Sequence, residues 1–519
     1  MIQPIRSVVI VGGGTAGWIT AGTVAAKHHA YSEHGIKVTL IEAPDIKPIG
    51  VGEGTWPTMR NTLRAMGLSE TEFIRECNVG FKQGAKFAKW VDGSDDDFYY
   101  HPLVLPAGFL EGNLAPYWLL HGQGQSFSEA VCFQEALCEH SLAPKLVTTP
   151  EYEAVANYAY HLDAGRFSEF LKKHCLEKLG VTYISDRVTK VNSAENGDIA
   201  SLSTEQNGDL EGDLFVDCTG FHSLLLGKHY KVPFVDRSDV LFVDRALAVH
   251  APYLNENDDI VSHTVSTGQE AGWIWDIGLQ TRRGVGHVYS TRHTDRERAE
   301  EALMAYLEPT IGRSVAHNLS VREIPITSGH RAHFWQNNCV AIGLSSGFLE
   351  PLEASALVLV ELSAEMLAEQ MPTCRQSMDI IAKRFNDTFR YRWDRIIDFL
   401  KLHYILTRRT DNTFWTDNQD PDTIPDSLKE LMELWRYQHP WDHDFTNRRE
   451  VFPAASYQYV LYGMGFKTES EHIRLTEEEI AFAQRNMYEN QQRIRQLVAN
   501  MPTHRELVNK IKEYGFQKI

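Results

Sequence analysis

Val8-Val9-Ile10-Val11-Gly12-Gly13-Gly14-Thr15-Ala16-Gly17 opens with four apolar, β-branched residues and closes on glycines. Such a run reads as a strand, and Trp18–Lys27 after it reads as a helix. Lys37–Ile41 supplies a second strand and ends at Glu42. Gly12, Gly14 and Gly17 therefore make GxGxxG in a strand–turn–helix–strand context, with Thr15 and Ala16 inside the same turn. Glycine at these positions permits the tight turn, the close approach of a pyrophosphate and the packing of helix on sheet, while an acid such as Glu42 accepts from a ribose 2′-hydroxyl. The motif predicts dinucleotide binding. Alone it does not choose between FAD and NAD.

Later segments favour FAD. Val181–Val188 reads as a strand on the adenine side, with Val188 against the cofactor. Leu214–Asp217 is an apolar strand ending at Asp217 and running into Cys218-Thr219-Gly220-Phe221. Gly50–Pro57 is a glycine-rich loop, with Gly52 free to pass close to a ligand, followed by a helix over Thr58–Met66. Returns to the nucleotide spread over so much chain imply a discontinuous FAD domain with insertions. The fold class expected is α/β: a Rossmann-like, aromatic-monooxygenase-type FAD domain with a substrate-binding lobe and a mostly helical C-terminal region. The expected division is a core over 1–375 carrying inserted substrate-lobe segments at about 80–155 and 235–320, then a helical substrate-binding cap over 376–519. Helices are read at Ile380–Leu406, Asp426–Tyr437 and Thr476–Tyr514.

Composition bounds the partners. The chain has 519 residues, 43% hydrophobic and 23% charged, as ordinary globular proteins do. With 69 acidic and 51 basic side chains its net charge is −18, which argues against nucleic acid or an anionic membrane as partner. No apolar run reaches the roughly 18 residues of a spanning helix, and no signal peptide precedes Ser7. Seven scattered cysteines without a CxxC pair suit reduced thiols in the cytoplasm. No metal site is read: Pro440 separates His439 from His443.

Cys339–Leu357, CVAIGLSSGFLEPLEASAL, concentrates the chemistry. A strand meets a turn at Gly343 and Leu344, then Glu350-Pro351-Leu352-Glu353, then an apolar helix interrupted by Glu361. A helix N-terminus presents free N–H groups and positive dipole, which suits an anion, and here two carboxylates share the turn. Cys77–Trp90 alternates, with Val79, Phe81, Ala85 and Phe87 on one face and Lys82, Gly84, Lys86 and Trp90 on the other. Trp273 and Trp275 share a face of a short strand, with Val285–Ser290 as its antiparallel partner.

These segments, in this order, resemble the flavin-dependent tryptophan halogenases: Gly12–Trp18, Gly50–Pro57, Glu76–Trp90, Tyr100–Pro102, Tyr160–Ala164, Val216–Phe221, Gly272–Ile277, Gly343–Ser355 and His403–Trp415. The resemblance implies FAD used as FADH2 from a separate, transiently bound NADH-dependent flavin reductase, with O2 and chloride or bromide giving hypohalous acid. It implies that Lys82 receives the oxidised halogen, either by polarising hypohalous acid or as a haloamine. Glu353 would orient the oxidant or take the ring proton, and backbone N–H groups at Ser355 and Ala356 would hold the halide. Glu350 would face the flavin or solvent. Trp273 and Trp275 would wall substrate off from flavin. This chain has Ala354-Ser355-Ala356 where the family has Ser-Thr-Gly, and Gly278 where it has proline.

The substrate expected is an electron-rich indole, tryptophan or a relative, in an aromatic slot of His101, Trp441, Tyr457, Tyr459 and Phe466. No acid lies between Phe452 and Phe466 to pair with a substrate ammonium, which favours an indole without the free amino-acid head. One alternative is a single-component aromatic monooxygenase, which needs its own NAD(P)H site. Another is a catalytically silent flavin-binding protein. A homodimer is left open.

Overall fold

The computed structural model describes residues 3–45, 52–122, 124–447 and 450–517, so Gly50 and Val51 of the glycine-rich loop lie outside the described residues. The chain divides into two compact units, Met1–Asn78 with Leu162–Arg237 and Thr327–Asp394, and Val79–His161 with Ser238–Ile326 and Arg395–Ile519. The sequence reading closes the core at 375; the division in the structure falls at Asp394, inside the long helix Arg375–Ile405.

The first unit is built on a six-stranded sheet in the order Trp335–Gln336, Cys339–Ala341, Leu214–Asp217, Ser7–Val11, Lys37–Glu42, Thr182–Ser185. All neighbours are parallel except the Trp335–Gln336 edge strand. Ser7–Val11 is central and covered on both faces, with Val8 and Ile10 wholly buried, which is why its apolar run does not alternate. Helix Thr15–Lys27 packs against Ser355–Glu369 and Ala164–Lys178. The register aligns the strand ends: Val11 lies beside Ile41 and Asp217, and Asp217 beside Ala341. The turns after these strands therefore leave the sheet together, at the carboxyl edge where open α/β sheets bind ligands.

The strand expected over Val181–Val188 stops at Ser185, and Val188 opens a separate three-stranded antiparallel sheet. The break is made by Asp186. Its carboxylate accepts from the backbone N–H groups of Arg187 at 2.7 Å, Gln206 at 3.0 Å and Asn207 at 2.9 Å, which turns the chain out of the parallel sheet.

The second unit holds a seven-stranded sheet in the order Arg322–Pro325, Arg245–Pro252, Arg282–Tyr289, Gly272–Gly278, Thr264–Gln269, Gly84–Ala88, Phe98–Pro102. The antiparallel pairing of Gly272–Gly278 with Arg282–Tyr289 is the hairpin expected around the tryptophans. The single alternating strand read over Cys77–Trp90 is instead two, Gly80–Lys82 and Gly84–Ala88, in different sheets. Gln83 makes the switch, donating its N–H to the Ser262 carbonyl at 2.7 Å and its side chain to the Leu142 carbonyl at 2.7 Å.

Helix Asp426–Tyr437 lies where periodicity placed it. The helix expected over Thr476–Tyr514 is broken into Glu477–Asn500 and His504–Tyr514, because Pro502 biases the residue before it out of the helical region and Thr503 starts a new capping box with Glu506. Helix Ala454–Gly463 escapes a periodicity search: it is buried almost all round, so it has no polar face. Among the described residues no helix is long and apolar enough to cross a membrane, and all seven cysteines are free thiols.

Candidate active site

The glycine turn closes on itself. Gly12 has φ +116°, and a Cβ there would stand 2.2 Å from the Cys218 carbonyl oxygen; a Cβ on Gly17 would stand 1.9 Å from the Gly12 oxygen. These two glycines are imposed by the protein's own packing. Gly14 is different. Its backbone is extended and, among the described residues other than its own chain neighbours, nothing lies within 4 Å of its Cβ position, so the space there is a cradle suited to a pyrophosphate. Thr15 and Ala16 begin the helix above it, the Thr15 hydroxyl 3.0 Å from Ser168 Oγ. Glu42 lays its carboxylate against Gly13 and accepts from Tyr183 Oη at 3.0 Å and Lys172 Nζ at 3.3 Å.

Gly14→Val should melt like the parent yet lose flavin, whereas Gly17→Val should lose about 1–3 kcal/mol of stability by overpacking. Thermal melts and a flavin titration of each variant check it; a Gly14→Val protein with parental flavin affinity would contradict the placement.

Asp217 organises the next turn. One carboxylate oxygen accepts from the Thr219 N–H and hydroxyl, and the other from the N–H groups of Leu225 and Leu226 at 2.8 and 2.9 Å. Its carboxylate is thus spent on shaping the loop that carries Gly220. The third turn, Gly343–Ser345 with half-buried Leu344, comes so close to the first that a Cβ on Gly343 would lie 2.6 Å from Ala16 Cβ. Ser345 Oγ donates to the Asp217 carbonyl. Gly52, itself buried, begins a short half-buried strand, Gly52–Gly54, and Val188 is half-buried at the start of its antiparallel sheet.

Beyond that turn lies a strained step. Glu353 and Ala354 both take left-handed conformations, φ +61° and +54°, in a region where each non-glycine residue costs about 1–3 kcal/mol. Trp56 holds the step: its indole N–H donates to the Glu353 carbonyl at 2.8 Å in a buried setting, and the Ala354 N–H donates to the Pro351 carbonyl at 2.9 Å. Helix Ser355–Glu369 then begins with no side-chain cap, Ser355 and Ala356 being its first two residues. The alanine at 356 is ordinary helix and needs no glycine; the positive φ falls two and three residues earlier. Glu350 is 1% exposed, which removes the solvent-facing alternative for it, and Glu353 is 7% exposed.

Glu361, the acid inside the apolar helix, is buried against helix Thr58–Ala65. It accepts from Thr62 Oγ1 at 2.6 Å and Thr58 Oγ1 at 3.2 Å, and burial pushes its carboxyl up to about 8, so it sits there as the neutral acid at pH 7.

In the second unit Lys82 is 2% exposed. Strand Gly80–Lys82 pairs antiparallel with Ala159–Asp163, Lys82 opposite Ala159 and Gly80 opposite His161, so Lys82 and His161 share a face. Burial first, and then the Lys82 charge, hold His161 well below the usual histidine range; its Nε2 lies 2.8 Å from Thr264 Oγ1. Lys86, two strand positions on from Gly84, is instead partly open and paired with Glu139 at 2.6 Å. Trp273 and Trp275 are both buried, their rings 6.5 Å apart and edge-on, with Trp273 also 6.0 Å from Trp90.

The residues expected in the aromatic slot are brought together only in part. His101 lies 2.9 Å from Ser456 Oγ and within ring contact of Tyr459, Phe399 and Phe452. Tyr459 donates to the Val104 carbonyl at 2.9 Å. Tyr457, two residues away and so on the other side of its helix, packs among Phe399, Trp435 and Phe445. Trp441 packs on Phe109, and half-buried Phe466 follows the helix end. Phe109, Phe399, Phe452 and Gln458 escape the sequence reading. Gln458 is wholly buried, bonded to the Pro440 carbonyl at 2.8 Å, in the stretch already noted for lacking an acid.

Comparison with known proteins identifies the family. The tryptophan halogenase family model matches residues 7–478. The tryptophan 6-halogenase ThaL of Streptomyces albogriseolus is 32% identical, covering 90% of each chain. The tryptophan 7-halogenase RebH of Lentzea aerocolonigenes is 30% identical, covering 92% of each. The crystal structure of a tryptophan halogenase from Shewanella frigidimarina superposes with a TM-score of 0.97 at 49% identity, over 99% of each chain. The chain belongs to the flavin-dependent tryptophan halogenase family.

Proposed function

We propose that this flavin-dependent halogenase takes FADH2 from a separate NADH-dependent reductase and places chlorine or bromine on the indole ring of tryptophan. The observation that carries the reading is the turn of the first unit: Gly343 abuts the dinucleotide turn at Ala16, and the same chain continues through buried Glu353 to the uncapped first turn of a helix. A flavin turn, a carboxylate and an anion-favouring helix N-terminus follow one another along Gly343–Ala356.

Gly12–Gly17, Glu42, Gly220 and Gly343 are the residues that would hold FAD, and the vacant Cβ position of Gly14 fits it. Reduced flavin supplies the electrons with which O2 oxidises halide: FADH2 + O2 + X⁻ + H⁺ gives FAD + HOX + H2O. The N–H groups of Ser355 and Ala356 hold the halide. Lys82 then donates a hydrogen bond to HOX, or forms N–X with loss of water. Attack by the arene transfers X to a ring carbon, and Glu353 accepts the proton that carbon releases, so the net step is ArH + HOX giving ArX + H2O. Tryptophan is favoured by the relatives, whose substrates it is by name.

The test is the mass of the product formed from FADH2, O2 and bromide with tryptophan and, separately, with indole. A product in which bromine replaces hydrogen is expected from tryptophan. A product carrying one added oxygen would establish the monooxygenase reading instead, and bromination of indole with tryptophan untouched would return the substrate to one without the amino-acid head.

A further inference from the structure

The last helix of the chain reaches the strand that carries Lys82. Gly80–Lys82 is an edge strand, with Ala159–Asp163 as its paired neighbour. Along its other edge the backbone groups of alternate residues point away from that neighbour and need partners from elsewhere. Each has one. The Val79 carbonyl accepts from Gln280 Nε2 at 2.9 Å, the Phe81 N–H donates to His504 Nε2 at 2.8 Å, and the Gln83 N–H donates to the Ser262 carbonyl at 2.7 Å. His504 lies 423 positions from Phe81 in sequence and is wholly buried.

The hydrogen bonds of His504 define its chemistry. Nε2 accepts from a backbone N–H, so it carries no proton; Nδ1 is therefore the protonated nitrogen, donating to the Ile260 carbonyl at 3.1 Å. Burial holds the ring neutral, with its pKa pushed down to about 3. The ring thus stands in for a missing strand partner. It also packs on the Phe81 ring at 5.6 Å and over Gly80, whose absent Cβ would come within 3.4 Å of it. Its neighbour Arg505 donates to the Asp258 carbonyl at 2.8 Å and to the Gln280 carbonyl at 2.6 Å, anchoring the residue whose side chain holds Val79. Helix His504–Tyr514 starts with its own capping box, and it lies beyond the residues matched by the family model.

We propose that His504 is a positioning residue for halogen transfer: by holding the Phe81 N–H it fixes the edge strand, and with it the place of Lys82. This rests on the reading of Lys82 as the residue that receives the oxidised halogen. A strand of three residues whose outer edge is held by two side chains and a single carbonyl takes its position from them, and misplacement of a reacting group by about 1 Å costs on the order of a hundredfold in rate.

The experiment compares His504→Leu, which has no acceptor, with His504→Gln, whose side-chain oxygen and nitrogen can repeat the accept-and-donate pair. Hydrogen exchange at the Phe81 amide is read on the flavin-free protein, and brominated product per flavin oxidised is read on the working enzyme. His504→Leu should speed Phe81 exchange and lower product per flavin by about tenfold or more, with flavin oxidation at the parent rate; His504→Gln should restore both. Faster Phe81 exchange with undiminished product would overturn the proposal, as would a product loss that His504→Gln leaves unrepaired. If His504→Leu does not fold, Gln280→Leu is used: product per flavin at the parent level in that variant would overturn it equally. Failure of the underlying reading shows elsewhere, as a Lys82→Met enzyme that still brominates.

Discussion

Lys82→Met should abolish halogenated product while the protein stays folded and still oxidises FADH2. Methionine keeps the length of the lysine stem and its apolar contacts in a site that is 2% exposed, and it takes away only the nitrogen. If that nitrogen activates or carries the halogen, its loss should remove about 5 kcal/mol of transition-state stabilisation, a little under four decades in rate. Product rate, flavin oxidation rate and melting temperature are measured on the same preparation. A variant that brominates at a tenth of the parent rate would retire the assignment. A variant that fails to fold would mark Lys82 as a structural cation beside His161.

Glu353→Gln should lower product by about two to four decades, the range for removing a general base, with oxidised halide still made. The carboxylate belongs at that position: the following helix begins uncapped, and its first turn favours negative charge. Glutamine occupies the same left-handed step and leaves the Trp56 bond to the backbone carbonyl in place, so the fold should survive. Glu350→Gln, measured beside it, should fall by much less. If Glu350→Gln is the dead enzyme and Glu353→Gln is near normal, the roles of the two acids are exchanged.

The parallel core was legible because its signals are local. Val8–Val11, the glycine turn and Lys37–Glu42 lie within one βαβ unit, and packing imposes two of the motif glycines through carbonyls at Cys218 and at Gly12 itself. The hairpin around Trp273 and Trp275 was legible for the same reason. What failed was decided at a distance. Alternation over Cys77–Trp90 could not reveal that Gln83 hands the chain from one sheet to another, because the partners are Ser262 and Leu142. The bonds of Trp56 to Glu353 and of His504 to Phe81 span 297 and 423 positions. Glu361 interrupts an apolar helix in sequence because its partners, Thr58 and Thr62, belong to another helix. The aromatic slot was half read, since Tyr457 and Tyr459, two apart on a helix, face different neighbours.

On this reading the chain makes oxidised halogen with one set of residues and delivers it through Lys82. The most direct test is the fate of bromide in the Lys82→Met enzyme, followed with a halogen-accepting dye alongside tryptophan. Dye bromination in step with flavin oxidation is expected, with no brominated tryptophan beyond what free hypobromous acid yields. Enzyme-dependent bromination of tryptophan with parental position selectivity, or no oxidised bromide at all in the folded variant, would contradict it.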